Sequence, residues 1–283
     1  MMPDSRKSTE SSELMRRLEA GELLLVFIHP ESIQDPAALA RALESLDDEE
    51  RERQARFVFP KHRHDFLVAH GFVREVLSLV LGDSAASWRF EKNARGRPDV
   101  VLGPGHPPLV FNLSHTDGLA ACLIGLAREP GFALGVDVEV LSRKTAGSRI
   151  AERYFAPSEL ADFLALPDAQ RVTRFYDLWT LKEAWMKARG EGLALGLKTF
   201  SYHLRPDEAI GIEIEDSIRM DGPPWHFRLL DPPGTDGEPD RGRRAAIAVR
   251  TEPFAGLSTF VSRLTGGLVE VPAKVRNHAT RPD

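Results

Sequence analysis

Asp137 and Glu139 fall two apart in GVDVEV (135–140), where strict alternation puts both carboxylates on one face of a strand and Val136, Val138 and Val140 on the other. They would stand about 7 Å apart along the strand. Like charges at that distance repel unless solvated or bridged, and a hard divalent cation such as Mg²⁺ is the usual bridge between oxygen ligands. In LWTLKEAWMKARGEGL (178–193), Trp179, Glu183 and Lys187 recur at i, i+4 and i+8 and share one helical stripe beside the apolar Leu178, Leu181 and Trp185. FNLSHTDG (111–118) is a strand running into a polar turn, and it offers the Ser114 hydroxyl and the His115 imidazole to a phosphate oxygen. A hydrolase triad is a poor reading of that pair, because neighbours on a strand end point to opposite sides and no G-x-S-x-G elbow surrounds them.

Each pattern also has an ordinary structural reading: a solvent-facing strand edge for the two carboxylates, an i,i+4 ion pair for Glu183 and Lys187, and a capped surface turn for Ser114 to Thr116. Taken singly, the first two of those readings are the stronger. Lys61, His62, Arg63 and His64 crowd the start of a predicted helix, where positive charge opposes the macrodipole. A bound polyanion would relieve that misfit; a solvated basic face accounts for it equally well. Arg97, in RGRP, adds a cation in the loop before the strand that leads to NLSH.

The elements that must position these residues follow from periodicity. ELLLVFIHP reads as a strand, and DPAALARALESL, DDEERERQARFVF and PKHRHDFLVAHGFVREVLSLVLG read as helices, the last with Pro60 in its first turn. SWRFEKN, PLVFNLSH and GLAACLIGL follow as strands. The second half opens on FALGVDVEV as a strand and passes through the helices SRIAERYF, PSELADFLAL and QRVTRFYDLWTLKEAWMKAR. It closes with the strands TFSYHL, IGIEIE, WHFRLL and RAAIAVR. Both halves therefore run strand, helices, strands, without a residue-level repeat. The expected division is a polar N-terminal tail (1–19), an N-terminal subdomain (20–132), a C-terminal subdomain (133–265) and a C-terminal tail (266–283). DPPGTDGEPDRGR is a turn-rich excursion between strands.

With 283 residues the chain builds a substantial core. No apolar run approaches the roughly 18 to 20 residues that span a bilayer, so no membrane role is expected. The start, MMPDSRKSTESSE, lacks the apolar region of a secretory signal, and the single cysteine, Cys122, forms no internal disulfide; both fit a cytoplasmic protein. A net charge of −5 gives no field favouring nucleic acid, so an anionic ligand must be met by local patches.

FNLSHTDG, GVDVE and W-TL-KEA-WM-K-ARGEGL, in this order and at these distances, resemble the Sfp-type 4'-phosphopantetheinyl transferases. The first two are weak alone and the third is specific; the likeness is firm over 109–200. The resemblance implies an α+β fold of two similar, pseudo-twofold-related halves, each a small mainly antiparallel sheet packed with helices, with the active site between them. It implies transfer of the 4'-phosphopantetheine of coenzyme A to a serine of an acyl or peptidyl carrier protein, with Mg²⁺ (or Mn²⁺) and release of 3',5'-ADP; two halves in one chain could build such a site as a monomer. Carried over by motif, Asp137, Glu139 and Glu183 look like metal ligands. Glu183 also looks like the group that helps deprotonate the serine, directly or through water, and Lys187 like the diphosphate contact. Arg97, Ser114 and His115 would meet the coenzyme A phosphates. Asp65 and Phe66 depart from the basic residue and small hydroxyl that many members place near the 3'-phosphate, which leaves Arg53, Arg56, Lys61 or Arg63 to substitute. Arg143, Lys144, Arg149 and Arg153, with Tyr154 and Phe155, would form a docking surface for an acidic carrier; for one of the two aromatics a place in the core is at least as good a reading. Two other classes remain open: a non-catalytic paralogue that binds coenzyme A or carrier, and a different Mg²⁺-dependent phosphoryl-transfer or phosphodiester-cleaving enzyme.

Overall fold

The computed structural model describes residues 5–94, 96–192, 196–205, 208–219, 221–264, 267–272 and 274–276. The first half comprises α1 (Ser5–Glu19), β1 (Glu22–Ile28), α2 (Pro36–Ser45), α3 (Asp48–Arg56) and α4 (Pro60–Leu81). Its remaining strands are β2 (Phe90–Lys92), β3 (Pro98–Val100), β4 (Leu109–Thr116) and β5 (Leu119–Leu126). The second half comprises β6 (Ala133–Val140), α5 (Ser148–Tyr154), α6 (Pro157–Ala165), α7 (Asp168–Arg189), β7 (Phe200–His203), β8 (Gly211–Ile214), β9 (Trp225–Asp231) and β10 (Arg243–Arg250). Three short strands end the chain: β11 (Gly256–Ser262), β12 (Leu268–Glu270) and β13 (Lys274–Val275).

One sheet has the order β12-β11-β1-β5-β4 and the other β13-β9-β10-β6. All pairings are antiparallel except β1 with β11. Within them β1-β5-β4 and β6-β10-β9 are equivalent. Each half starts on one strand, reaches a 22-residue helix (α4 or α7), makes a small hairpin (β2–β3 or β7–β8) and returns through two strands. That repetition is the pseudo-twofold α+β fold.

Alternation along the strands sets the layers. Leu23, Leu25 and Phe27 of β1 pack with Leu134, Val136 and Val138 of β6 and with Ala245, Ile247 and Val249 of β10, so the two sheets meet face to face on an apolar core. Leu24, Val26 and Ile28 point the other way, into a core with Phe72, Val76 and Leu77 of α4. On the far side, Leu178, Leu181 and Trp185 of α7 cover the second sheet at Ala246 and Ala248. Complete burial of a side chain such as Leu24 is worth about 2 kcal/mol.

The chain ends differ from the expected tails. Ser5–Glu19 is a helix because Leu14 and Leu18, four apart, are buried in the first core, while Arg17 pairs with Glu270 at 2.6 Å. β11 lies inside the first sheet, so the chain returns to its first half after β10 and the boundary drawn at 265 does not separate the sheets. Its sequence, GLSTFVS, hides a strand because buried Ser258 and Ser262 replace apolar residues. Their hydroxyls donate to Glu22 and Glu75. Among the described residues no helix is long and apolar enough to cross a membrane.

Candidate active site

β6 and α7 are brought together at a glycine. A Cβ on Gly135 would lie 2.1 Å from the Ala184 carbonyl oxygen and 2.5 Å from the Ala188 amide nitrogen, so only a residue without a side chain lets the helix seat on the strand there. Two and four residues further along β6, on the same face, stand Asp137 and Glu139. The helix ends just beyond the contact, at Arg189, where Gly190 takes a left-handed conformation (φ 64°) and its N–H bonds to the Lys187 carbonyl.

The other flank of α7 explains Lys182, whose task the sequence did not disclose. Its side chain is fully buried, and its ammonium bonds to the Glu159 carboxylate at 2.8 Å and to the carbonyls of Leu197 (2.7 Å) and Phe200 (2.8 Å). Glu159 also accepts from the Ala156 and Tyr202 amides. A buried charge of this kind is tolerated because every donor has an acceptor, and it ties α7 to α6 and to β7.

β4, at the edge of the first sheet, closes the site from the opposite side. Asn112 Oδ1 accepts from the Val136 amide and Ser114 Oγ from the Val138 amide, so two polar side chains bridge the seam between the halves. Asn112 was not anticipated. Its signal was present: Asn112 and Ser114, two apart, share one face of strand β4 with Val110.

Leu113, Ser114, His115, Asp137, Glu139, Trp179, Glu183 and Lys187 line one cavity of about 430 Å³. Asp137 is buried. Its Oδ1 accepts from Lys187 Nζ at 2.7 Å and from Ser114 Oγ at 3.0 Å, while its Oδ2 has no hydrogen-bond partner. Lys187 Nζ also donates to Ser114 Oγ at 2.8 Å. Burial, then repulsion from Asp137, pushes Glu139 up to about 7, although the Trp179 indole and Lys187 favour its ionised form. The same two causes push Glu183 up to about 6, and burial raises Asp137. Partial desolvation, then the cations His70, Lys187 and Arg53, lowers the pKa of His115 at the cavity mouth.

Three carboxylates against one lysine leave room for a further cation, and the buried, unpartnered Asp137 oxygen is a hard donor awaiting one. The donor set fits Mg²⁺, which is held by one or two carboxylates together with waters and substrate phosphates rather than by an all-protein cage. Among the described residues no three His, Cys, Asp or Glu converge closely enough to enclose a metal by themselves, so waters and substrate phosphates would have to complete its coordination.

The remaining candidate cations of the first half make contacts within the protein outside the cavity lining. Arg97 donates to the carbonyls of Lys187 and Ala188, both at 3.0 Å, and so caps the end of α7; its hydrogen bonds go to backbone and not into the cavity. Arg63 donates to the Phe57 carbonyl, Arg53 lies over the Phe66 ring, and Lys61 is paired with Asp65 and Asp117. Of these, Arg53 contributes to lowering the pKa of His115. Arg143, Lys144, Arg149 and Arg153 are exposed. Tyr154 packs edge-on against Trp179 with the Arg153 guanidinium over its ring, whereas Phe155 is 1 % exposed and belongs to the core.

The raised carboxylates predict a pH signature. With folded pKa values of about 7 and 6 against an ordinary 4.5, Glu139 and Glu183 bind more protons in the folded than in the unfolded state across that window. The stability of the metal-free protein therefore falls as pH rises through it. Mg²⁺ binds the ionised carboxylates, so the melting temperature should rise on adding Mg²⁺ at about pH 8 and not at about pH 5. Equal shifts at both pH values, by scanning fluorimetry, would exclude these carboxylates as ligands.

Comparison with known proteins agrees with this geometry. The family described as the 4'-phosphopantetheinyl transferase superfamily matches residues 133–248, from β6 to near the end of β10. The family described as 4'-phosphopantetheinyl transferase, N-terminal, matches residues 34–125. The chain is 36% identical to the 4'-phosphopantetheinyl transferase HetI of Nostoc sp. over 223 residues, covering 78% of this chain and 83% of that one. It is 32% identical to the 4'-phosphopantetheinyl transferase Sfp of Bacillus subtilis, covering 62% and 75%, and 31% identical to a phosphopantetheinyl transferase of Thraustochytrium sp., covering 68% of each. The motifs, the two-halved fold and these relatives agree: the chain belongs to the 4'-phosphopantetheinyl transferase superfamily.

Proposed function

We propose that this enzyme transfers 4'-phosphopantetheine from coenzyme A to a serine of an acyl or peptidyl carrier protein at the cavity between β4, β6 and α7, with Mg²⁺ held by Asp137, Glu139 and Glu183. The observation that carries the reading is the meeting of three carboxylates and Lys187 around one cavity, with a buried Asp137 oxygen lacking any partner. In the reaction the serine oxygen bonds to the phosphorus nearer pantetheine, the bond from that phosphorus to the leaving 3',5'-ADP breaks, and the serine proton is taken up by a base.

Glu183 is suited to take that proton, directly or through water, since its carboxylate lines the cavity where the serine and diphosphate would meet. Bound Mg²⁺ would neutralise the diphosphate and the charge that develops on it. Lys187 supplies a second positive charge, its ammonium fixed between Ser114 and Asp137. His115, held towards its neutral form, offers a hydrogen bond to phosphate at the mouth. The leaving phosphate is already a weak base, so no strong general acid is needed.

The exposed Arg143, Lys144, Arg149 and Arg153, with Tyr154 leaning on the cavity residue Trp179, support docking of an acidic carrier on this side. The test is the intact mass of an apo carrier protein after incubation with the enzyme, coenzyme A and Mg²⁺, with an EDTA control. A metal-dependent gain of one phosphopantetheine is expected. Coenzyme A binding without any gain across acyl and peptidyl carriers would favour the non-catalytic reading instead.

A further inference from the structure

The C-terminal half of α7 is seated on β6 by Gly135; its N-terminal half is attached by a different device. Arg244, near the start of β10, has a side chain with no exposure at all. In the antiparallel ladder it stands opposite Glu139, and by alternation it shares the α7-facing side of the sheet with Ala246 and Ala248. Its Nε lies 2.6 Å from Asp177 Oδ1 in α7, an ion pair without hydrogen-bond alignment, and its Nη1 donates to Asp231 at the end of β9. Arg276, just beyond β13, reaches the same Asp231 oxygen at 3.1 Å. None of these four residues lines the cavity.

Burying such a cluster is a poor way to gain stability, because an apolar set of similar volume commonly holds as well or better. What the cluster adds is a tie: a buried guanidinium held by Asp231 draws the Asp177 carboxylate, and α7 with it, towards β10, since separating the two would leave a buried carboxylate unpaired. The position of this tie indicates what it fixes. Asp177 precedes Trp179 by two residues and Glu183 by six, so the stripe Trp179–Glu183–Lys187 is strung between the Gly135 seat and the Arg244 anchor. Cross-strand partners have Cβ atoms about 5 Å apart, so Glu139 is registered against the same arginine.

We propose that Arg244 is a positioning residue for the carboxylate site, clamping α7 through Asp177 to β10 and β9 so that Glu183 on the helix keeps its place relative to Glu139 on the strand. The proposal rests on the reading of Asp137, Glu139 and Glu183 as metal ligands.

The experiment measures Mn²⁺ affinity by the EPR signal of the free ion, together with kcat, the KM for coenzyme A and the melting temperature. It compares Arg244→Lys and Asp177→Asn with the wild type. Glu183→Gln serves as the ligand control, and Phe72→Leu in the first core as a control for lost stability. Both clamp variants should weaken Mn²⁺ about tenfold or more, as substitutions behind metal ligands commonly do. Their kcat should fall and be partly restored by excess Mg²⁺, with the KM for coenzyme A changed less than about twofold, while Phe72→Leu melts lower yet binds Mn²⁺ normally. Wild-type Mn²⁺ affinity and kcat in both clamp variants would overturn the clamp, as would an equal loss of affinity in Phe72→Leu. Undiminished Mn²⁺ binding by Glu183→Gln would instead remove the metal-site reading, and the clamp with it.

Discussion

Glu183→Gln is expected to cut carrier modification roughly a thousandfold or more while the protein folds and melts no lower than wild type. The amide keeps the shape of the carboxylate and suits the middle of a helix, so α7 keeps its seat on Gly135 and its Lys182 tie. Both the charge that would hold Mg²⁺ and the basicity that would take the serine proton are lost. Stability should move in the opposite direction. Burial and Asp137 push Glu183 up to about 6, so its ionised form is strained in the metal-free protein, and removing one of three like charges relieves that strain. A rise in melting temperature of roughly 1–3 °C without metal is expected. Single-turnover transfer to an apo carrier and a thermal melt check both halves. Full activity in the variant would remove Glu183 from the chemistry, and a lower melting temperature would show that the carboxylate is structural.

Much of this site was legible because its elements obey a single period. GVDVEV alternates, so its carboxylates had to share a face, and the stripe Trp179, Glu183, Lys187 was fixed by helical spacing. What stayed hidden depends on partners distant in sequence. Arg97 looked like a free cation in a loop; its partners are carbonyls some 90 residues later, and no local pattern marks a residue that caps a remote helix. Lys182 sits beside Glu183, yet it points into the protein to meet Glu159, because adjacent helical residues project about 100° apart. β11 was obscured by serines that a buried strand tolerates only when hydroxyl acceptors such as Glu22 and Glu75 stand nearby. Leu14 and Leu18 were too few to mark a helix within a polar stretch until the first core was there to receive them. Of Tyr154 and Phe155, for one of which a core place was an equal reading, it is Phe155 that turns inward, because the next helix begins at Pro157 and the chain must close over Phe163 and Phe175.

Gly135→Ala tests the arrangement from beneath, since the residue touches no substrate and carries no functional group. The added methyl would meet the Ala184 carbonyl at 2.1 Å and the Ala188 amide at 2.5 Å, and both are helix backbone that no rotamer change can clear. Gly135 lies in a regular strand and its φ is not positive, so the penalty is one of space alone. α7 must lift from β6. It cannot lift freely, because Lys182 binds one flank to Glu159 and Arg244 binds Asp177. Overpacking against such a held element costs about 3 kcal/mol. The rate should suffer further: Glu183 and Lys187 move with the helix while Asp137 and Glu139 stay on the strand, and a displacement of about 1 Å between reacting groups costs on the order of a hundredfold. Gly211→Ala in strand β8, where φ is not positive and an added methyl comes no closer than 3.6 Å to the His203 side chain, is the matched control and should lower neither property. The comparison is made by denaturant midpoint and by kcat measured where each variant remains folded. If Gly135→Ala kept wild-type stability and rate, the close seating of α7 on β6 would not be what assembles the site.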